Sequence, residues 1–400
     1  MWPTSRMLGL HSGTTRKPRL KPEFRARSLR QWHGVRDAPR GRMLHRIMTD
    51  ITLSHEPLDL PLANVWRISR GSRTRAENIL VRLSWVDPAG REWAGLGEAS
   101  PYAYYGELRG TVTACLDEFA SLLGDDPFAI DAILDRIEAR VRHNTGAKAA
   151  VDMALHDLWG KILGRPVWQA WGLDASQGPV TSYSIGIDTP EAMGNRARAL
   201  EEAGWPLIKL KVGTADDIRC VSAVREAAPS VRLIIDANGA WTPREALAKL
   251  HQLAQFGIEF CEQPCASSDL AGLRFIRERS DVALIADESC ATEEDIAGLV
   301  GAVDGINIKL MKCGGLRRAR RLIEVARANH LRVMCGCLIE SSLAISAAAQ
   351  LLPLLDYADL DGNLLLASDP FTGVTVNKGK LVLGNGHGLG VTPAARQAHA

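Results

Sequence analysis

From about residue 180 onward one arrangement recurs, a short apolar run followed by an amphipathic stretch, with a period of about 25 residues. The apolar runs predict strands at 180–187, 207–212, 232–237, 258–262, 282–287, 305–310, 331–336 and 357–361. Between them, segments such as PEAMGNRARALEEAG, DDIRCVSAVREAAP, PREALAKLHQLAQFG and GLRRARRLIEVARANH predict helices. Eight strands alternating with helices predict an α/β protein built on a (β/α)8 TIM-type barrel. An open doubly wound sheet alternates in the same way. However, no G-x-G-x-x-G opens the first helix, and charged residues recur at strand ends, where barrels keep their chemistry.

The chain ahead of the repeat has a different pattern. VWRISRG, NILVRLSWVD and EWAGLGEASP, between about 62 and 100, predict an antiparallel meander. ELRGTVTACLDEFASLLG, DAILDRIEARV and GAKAAVDMALHDLWGKILG predict three helices, with Gly124 and Gly164 as stops for two of them. Strands followed by helices predict a compact α+β domain.

Charge separates a further segment. Residues 1–47 hold 12 Lys and Arg against Glu23 and Asp37, which leaves 36 basic against 44 acidic residues for the rest. This head is read as a disordered extension upstream of Met48, where MTDITLSHEPLDLPL resembles an ordinary protein start; a nucleic-acid arm or a transit peptide is the alternative reading. No apolar run approaches the roughly 20 residues needed to span a bilayer. The eight cysteines are scattered and read as small core residues in a reducing compartment; neither Cys261 with Cys265 nor Cys335 with Cys337 has zinc-finger spacing.

The chemistry lies in IKLKV, IIDAN, FCEQP, IADES and INIKL, whose charged residues are Lys211, Asp236, Glu262, Asp287 and Lys309. Three carboxylates on successive strand ends form a hard oxygen set suited to Mg²⁺. The alternative for a single such acid is a helix cap, but three at equal repeat phase argue against it. Lys211 comes one strand before the acids and Lys309 one strand after, so the two amines are expected on opposite faces of whatever the cation holds. That is the geometry of racemisation or epimerisation next to a carboxylate, through an enediolate. Lys209 shares a strand face with Lys211 and is read as catalytic support. Lys312 is read as a structural salt bridge.

Taken together, KxK at Lys209 and Lys211, the acids in IDAN, CEQP and ADES, NIKLMKCGG, AKAAVDMALHDLWGK and GLGEASP resemble the muconate-lactonizing subgroup of the enolase superfamily over about residues 60–390. Lys or His bases with Mg²⁺ are an established theme of that superfamily. The resemblance implies an enolase-like modified barrel under an N-terminal α+β capping domain. On that basis 48–165 is the cap, 166–370 the barrel, and 371–400 a segment returning toward the cap. It also implies a homo-oligomer in a bacterial cytoplasm, with no membrane or nucleic-acid partner.

Within that subgroup, Asp359 and Asp361 in ADLDGN resemble the D-x-D of dipeptide epimerases, which holds a substrate's α-ammonium. Two carboxylates there attract a zwitterionic dipeptide and repel an acyl or dicarboxylate substrate. RISRGSRTRAEN and SPYAYYGE occupy the positions of specificity loops and look most like epimerases acting on L-Ala-D/L-Glu, a cell-wall peptide fragment. Arg70 is then the candidate partner for a glutamyl carboxylate, with Arg73 and Arg75 close by. Ser184, Cys337, Leu338 and Glu340 are expected to line the pocket. N-acylamino acid racemase, o-succinylbenzoate synthase and an epimerase for other dipeptides are the alternatives.

Overall fold

The computed structural model describes residues 49–394. The readings made for residues 1–47 lie outside the described residues.

Three long strands, β1 (Thr52–Ile68), β2 (Gly71–Val86) and β3 (Glu92–Ala99), form an antiparallel meander in chain order. Its first strand starts ten residues before the expected position. Pro57 and Pro61 disguise it in the sequence, and they are tolerated because β1 is an edge strand of the three-stranded sheet. The three expected helices follow as α1 (Arg109–Phe119), α2 (Ile130–Arg140) and α3 (Thr145–Leu163).

Helix α3 lies against β3 more closely than a side chain would permit. A Cβ on Gly95 would stand 2.0 Å from the Ala154 carbonyl oxygen, and one on Gly97 1.9 Å from that of Ala150. The other side of α3 reaches the barrel. Asp152 accepts the N–H groups of Leu316 at 2.7 Å and Arg317 at 3.1 Å, where the helix Leu316–Ala328 begins. Asp157 accepts those of Leu96 and Leu389, both at 2.9 Å, so it joins β3 to the C-terminal segment.

Eight parallel strands follow: β4 (Tyr183–Ile185), β5 (Leu207–Lys211), β6 (Arg232–Asp236), β7 (Ile258–Glu262), β8 (Ala283–Ala286), β9 (Gly305–Ile308), β10 (Arg332–Gly336) and β11 (Tyr357–Asp359). Each pairs with the next. The Ser182 N–H donates to the Ala358 carbonyl at 3.0 Å, which brings the first and last strands together and nearly closes the barrel.

Period-two alternation explains the interior. Outward residues such as Ile208, Leu210, Leu233, Ile235, Leu284 and Ile306 pack into the main core. Inward residues Leu207, Ile234, Phe260, Ile285 and Met334 form a separate apolar plug. Two residues beyond four of these, on the same inward face, come Lys209, Asp236, Glu262 and Asp287. The charged layer therefore stands directly on an apolar floor. All eight cysteines are unpaired thiols, seven of them buried. Among the described residues, no helix is long and apolar enough to cross a membrane.

Candidate active site

Strand register places Lys211 opposite Asp236 and Asp236 opposite Glu262. Asp287 and Lys309 each lie one residue past their strands. Lys211 Nζ is 2.5 Å from Asp236 Oδ2, and Lys309 Nζ is 2.6 Å from Asp287 Oδ2. The two lysines thus bracket the acids, with Glu262 contributed by the strand between. Lys312 donates to Asp287 Oδ1 at 2.6 Å and to the carbonyls of Asn307 and Cys290 at 2.8 and 3.0 Å. This is the structural salt bridge expected of it, and it fixes the orientation of Asp287.

The acids are buried and already engaged by lysines, Asp236 by Lys211 and Lys209, Glu262 by Lys209, and Asp287 by Lys309 and Lys312. Among the described residues, no three acid, His or Cys side chains close on a common point. The donor chemistry nevertheless suits a divalent cation. Glu262 accepts Asn307 Nδ2 at 2.8 Å through Oε1, while its buried Oε2 has no hydrogen bond, although Lys209 Nζ stands 2.7 Å away in poor alignment. A buried carboxylate oxygen without a hydrogen bond, between two further carboxylates, is a ready donor for a divalent cation.

The electrostatics agree. Burial, reinforced by Asp236, pushes the Glu262 carboxyl up to about 8. Burial also acts to raise Asp236, but Lys211 and Lys209 outweigh it and hold that carboxyl down at about 2. Lys309 and Lys312 overcome burial in the same way to hold Asp287 well below the usual carboxylate range. Burial disfavours the Lys309 ammonium, yet Asp287 raises it well above its ordinary value.

A cavity of about 420 Å³ opens above this layer, with Lys211 and Lys309 at its base. Ser184, Cys337, Leu338, Asp359 and Asp361 line one wall. Asp359 ends β11, and Asp361 lies in the following turn. Their partners differ. Asp359 Oδ2 is 2.6 Å from Lys209 Nζ, whereas Asp361 accepts the Ser184 N–H at 2.6 Å and has no cationic partner among the described residues. Burial, with Asp359 adding to it, pushes the Asp361 carboxyl up to about 7.

Glu340 does not line the cavity. Its side chain turns back beneath the loop, where Oε1 accepts the Leu338 N–H at 2.9 Å, and burial pushes its carboxyl up to about 8. In the unfolded chain this group ionises near 4.5. Its folded pKa is therefore raised, and the resulting destabilisation is absent below the unfolded value and grows as pH rises toward 8. Glu340→Gln should match the parent in thermal stability at pH 5 and exceed it at pH 8, by roughly 1–3 kcal/mol. Thermal unfolding at the two pH values checks this, and a variant less stable at pH 8 would refute it.

The opposite wall comes from the cap. Arg70 lines it, but its guanidinium pairs with Glu288 and donates to the Asn238 carbonyl at 2.8 Å, while stacking 4.2 Å over the Tyr104 ring. Arg73 also lines the cavity, 4.3 Å over the Tyr102 ring, and has no carboxylate partner among the described residues. Tyr102, Tyr104 and Tyr105 pack edge to face and supply most of the aromatic surface. Sequence reasoning marked their segment and missed the individual residues, for which the YAYY run was the signal. It also missed Asn238 and Gln263, which follow Asp236 and Glu262 with φ of 48° and 36°. Gln263 Oε1 accepts the N–H groups of Asp287 and Ser289, tying two strand ends together.

Residues 49–172 match the mandelate racemase/muconate lactonizing enzyme N-terminal domain, and residues 192–398 match the enolase C-terminal domain-like family. An L-Ala-D/L-Glu epimerase of Bacteroides thetaiotaomicron is 40% identical, over 84% of this chain and 86% of that protein. A dipeptide epimerase from Enterococcus faecalis V583, solved with Mg and L-Leu-L-Tyr, is similar at 33% identity and TM-score 0.81, over 86% of this chain and all of that one. An N-succinyl Arg/Lys racemase from Bacillus cereus is similar at 28% identity and TM-score 0.82, over 86% and 96% of the two chains.

Proposed function

This chain belongs to the mandelate racemase/muconate lactonizing enzyme family of the enolase superfamily, and from that membership we propose that it is a Mg²⁺-dependent dipeptide epimerase, inverting the α-carbon beside the C-terminal carboxylate. Its relatives are named epimerases, which are isomerases. The observation that carries the finer reading is one cavity holding both requirements: two lysines bracketing an acid triad at its base, and an unpaired carboxylate, Asp361, on its wall.

Asp236, Glu262 and Asp287 would hold the cation. When bound, Mg²⁺ supplies fixed positive charge next to the substrate carboxylate, where negative charge develops as the α-proton leaves. Lys211 and Lys309 accept and return that proton from opposite faces, exchanging roles with reaction direction. Each is now held by an acid, and each becomes available as a base once that acid is engaged elsewhere. Asp361 meets the α-ammonium. Its lack of a cationic partner favours a free amine over the blocked amine of an N-acyl racemase or the dicarboxylate of an o-succinylbenzoate synthase.

For the second side chain, Arg73 replaces Arg70 as the cation we assign to a glutamyl carboxylate, because Arg70 is already paired. L-Ala-D/L-Glu is then the best-matched substrate, and we assign the protein to the cytoplasm.

Purified protein with Mg²⁺ in D₂O, offered a panel of L,L-dipeptides and N-acylamino acids, should place deuterium on the C-terminal α-carbon of both epimers, most strongly with Ala-Glu. Arg73→Gln should raise the KM for Ala-Glu by about tenfold or more and leave neutral dipeptides nearly unchanged. Exchange confined to blocked amines would overturn the dipeptide reading.

A further inference from the structure

Asp359 and Asp361 are two residues apart, yet the structure gives them different surroundings. Asp359 is held from one side by hydroxyls, with Ser182 Oγ at 2.6 Å and Ser184 Oγ at 3.2 Å from Oδ1. From the other side Lys209 Nζ approaches Oδ2 at 2.6 Å. That same ammonium is 2.7 Å from Glu262 and 3.3 Å from Asp236, and it is 1% exposed. Its well-directed hydrogen bond goes to Asp359, while the nearby Glu262 Oε2 goes without one. Lys209 therefore stands between two claims, the metal-site acids and the wall.

We propose that Asp359 is a positioning residue which draws Lys209 off Asp236 and Glu262, and so sets how strongly the acid triad binds a divalent cation. This rests on the cation site assigned above.

The physical reason is competition for the same oxygens. An ammonium 2.7 Å from Glu262 neutralises it and blocks access to it. With Asp359 charged, that ammonium is shared with the wall. With Asp359 neutral, Lys209 settles fully on the acids, and an incoming cation must displace it. A simple field effect would make the opposite prediction. The Asp359 charge is offset by Lys209, whereas Asp361 has no ion-pair partner among the described residues, so loss of the Asp361 charge would then weaken cation binding at least as much.

The test uses Mn²⁺ as the probe, titrated into substrate-free protein and followed by the electron paramagnetic resonance signal of the free ion. Asp359→Asn should bind Mn²⁺ about tenfold or more weakly than the parent, and Asp361→Asn within about threefold of it. In a Lys209→Met background, adding Asp359→Asn should have little further effect, since the competing ammonium is gone. Ser182→Ala, which loosens Asp359 without removing its charge, should shift affinity in the same direction by less, and it serves if Asp359→Asn does not fold. With Ala-Glu, Asp361→Asn should act mainly on KM and Asp359→Asn mainly on kcat.

Equal effects of the two Asn variants, or an Asp359→Asn effect that persists without Lys209, would overturn the inference while leaving the enzyme reading intact. Absence of Mn²⁺ binding by the parent protein would overturn the cation site itself, and this inference with it.

Discussion

Lys211→Ala and Lys309→Ala should each reduce epimerisation by about 10³-fold or more while leaving part of the chemistry running. In the proposed scheme each amine serves one face of the α-carbon, as Lys211 stands by Asp236 and Lys309 by Asp287, with the Glu262 strand between them. A variant lacking one amine still has the base for the other face. It should therefore exchange the α-hydrogen of one epimer with D₂O and return it without inversion, and the two variants should act on opposite epimers. Chiral chromatography coupled to mass spectrometry separates the outcomes. Loss of exchange with both epimers in both variants would mean that the lysines hold the site together and do not move protons. Full epimerisation in either variant would sink the two-base scheme.

The second large effect falls on Glu262. Glu262→Gln keeps the shape and the hydrogen bond from Asn307 but removes the central charge of the triad. Activity should fall by about 10²-fold to 10³-fold, the range for loss of a charge-stabilising group at a reacting centre. Stability should separate the variant from its parent more sharply. A ligand at 100 times its dissociation constant stabilises the folded state by about 2.7 kcal/mol, so Mg²⁺ should raise the parent's melting temperature and EDTA should reverse it. The variant should melt at the same temperature with either. A parent protein whose melting temperature ignores both Mg²⁺ and EDTA would count against the assigned cation site.

How much of this was legible in the sequence depended on the range of the interaction involved. The acids and their flanking lysines were readable because the inward face of a strand repeats every second residue. The apolar plug residues announce the phase: Lys209 and the three acids follow two positions later, and Lys211 follows four positions after Leu207. Local rules failed where a proline had a permitted place, as in β1, whose edge position no local pattern reveals. They failed again at the hairpin. Ser69 and Arg70 form the connection between β1 and β2, and whether Arg70 or Arg73 meets a ligand depends on Glu288, a residue contributed by the far side of the barrel mouth. Glu340 was misplaced because the direction of its carboxyl is set by one amide two residues back. Lys209 was legible as a helper of Lys211. Its bond to Asp359 crosses 150 positions of chain and belongs to barrel closure alone.

Helix α3 bears on how such proteins diversify. Its glycine-lined contact with β3 and its two aspartates bonded to Leu316, Arg317 and Leu389 make it a shared part of both domains. A chimera that replaced the cap would remove the helix that supplies Asp152 and Asp157 while keeping the N–H groups of Leu316, Arg317 and Leu389 that those acids accept. The cap is therefore a poor unit of exchange. New specificity is reached more readily by replacing the hairpin and the tyrosine loop, which touch the cavity and leave the α3 aspartates and their partners in place.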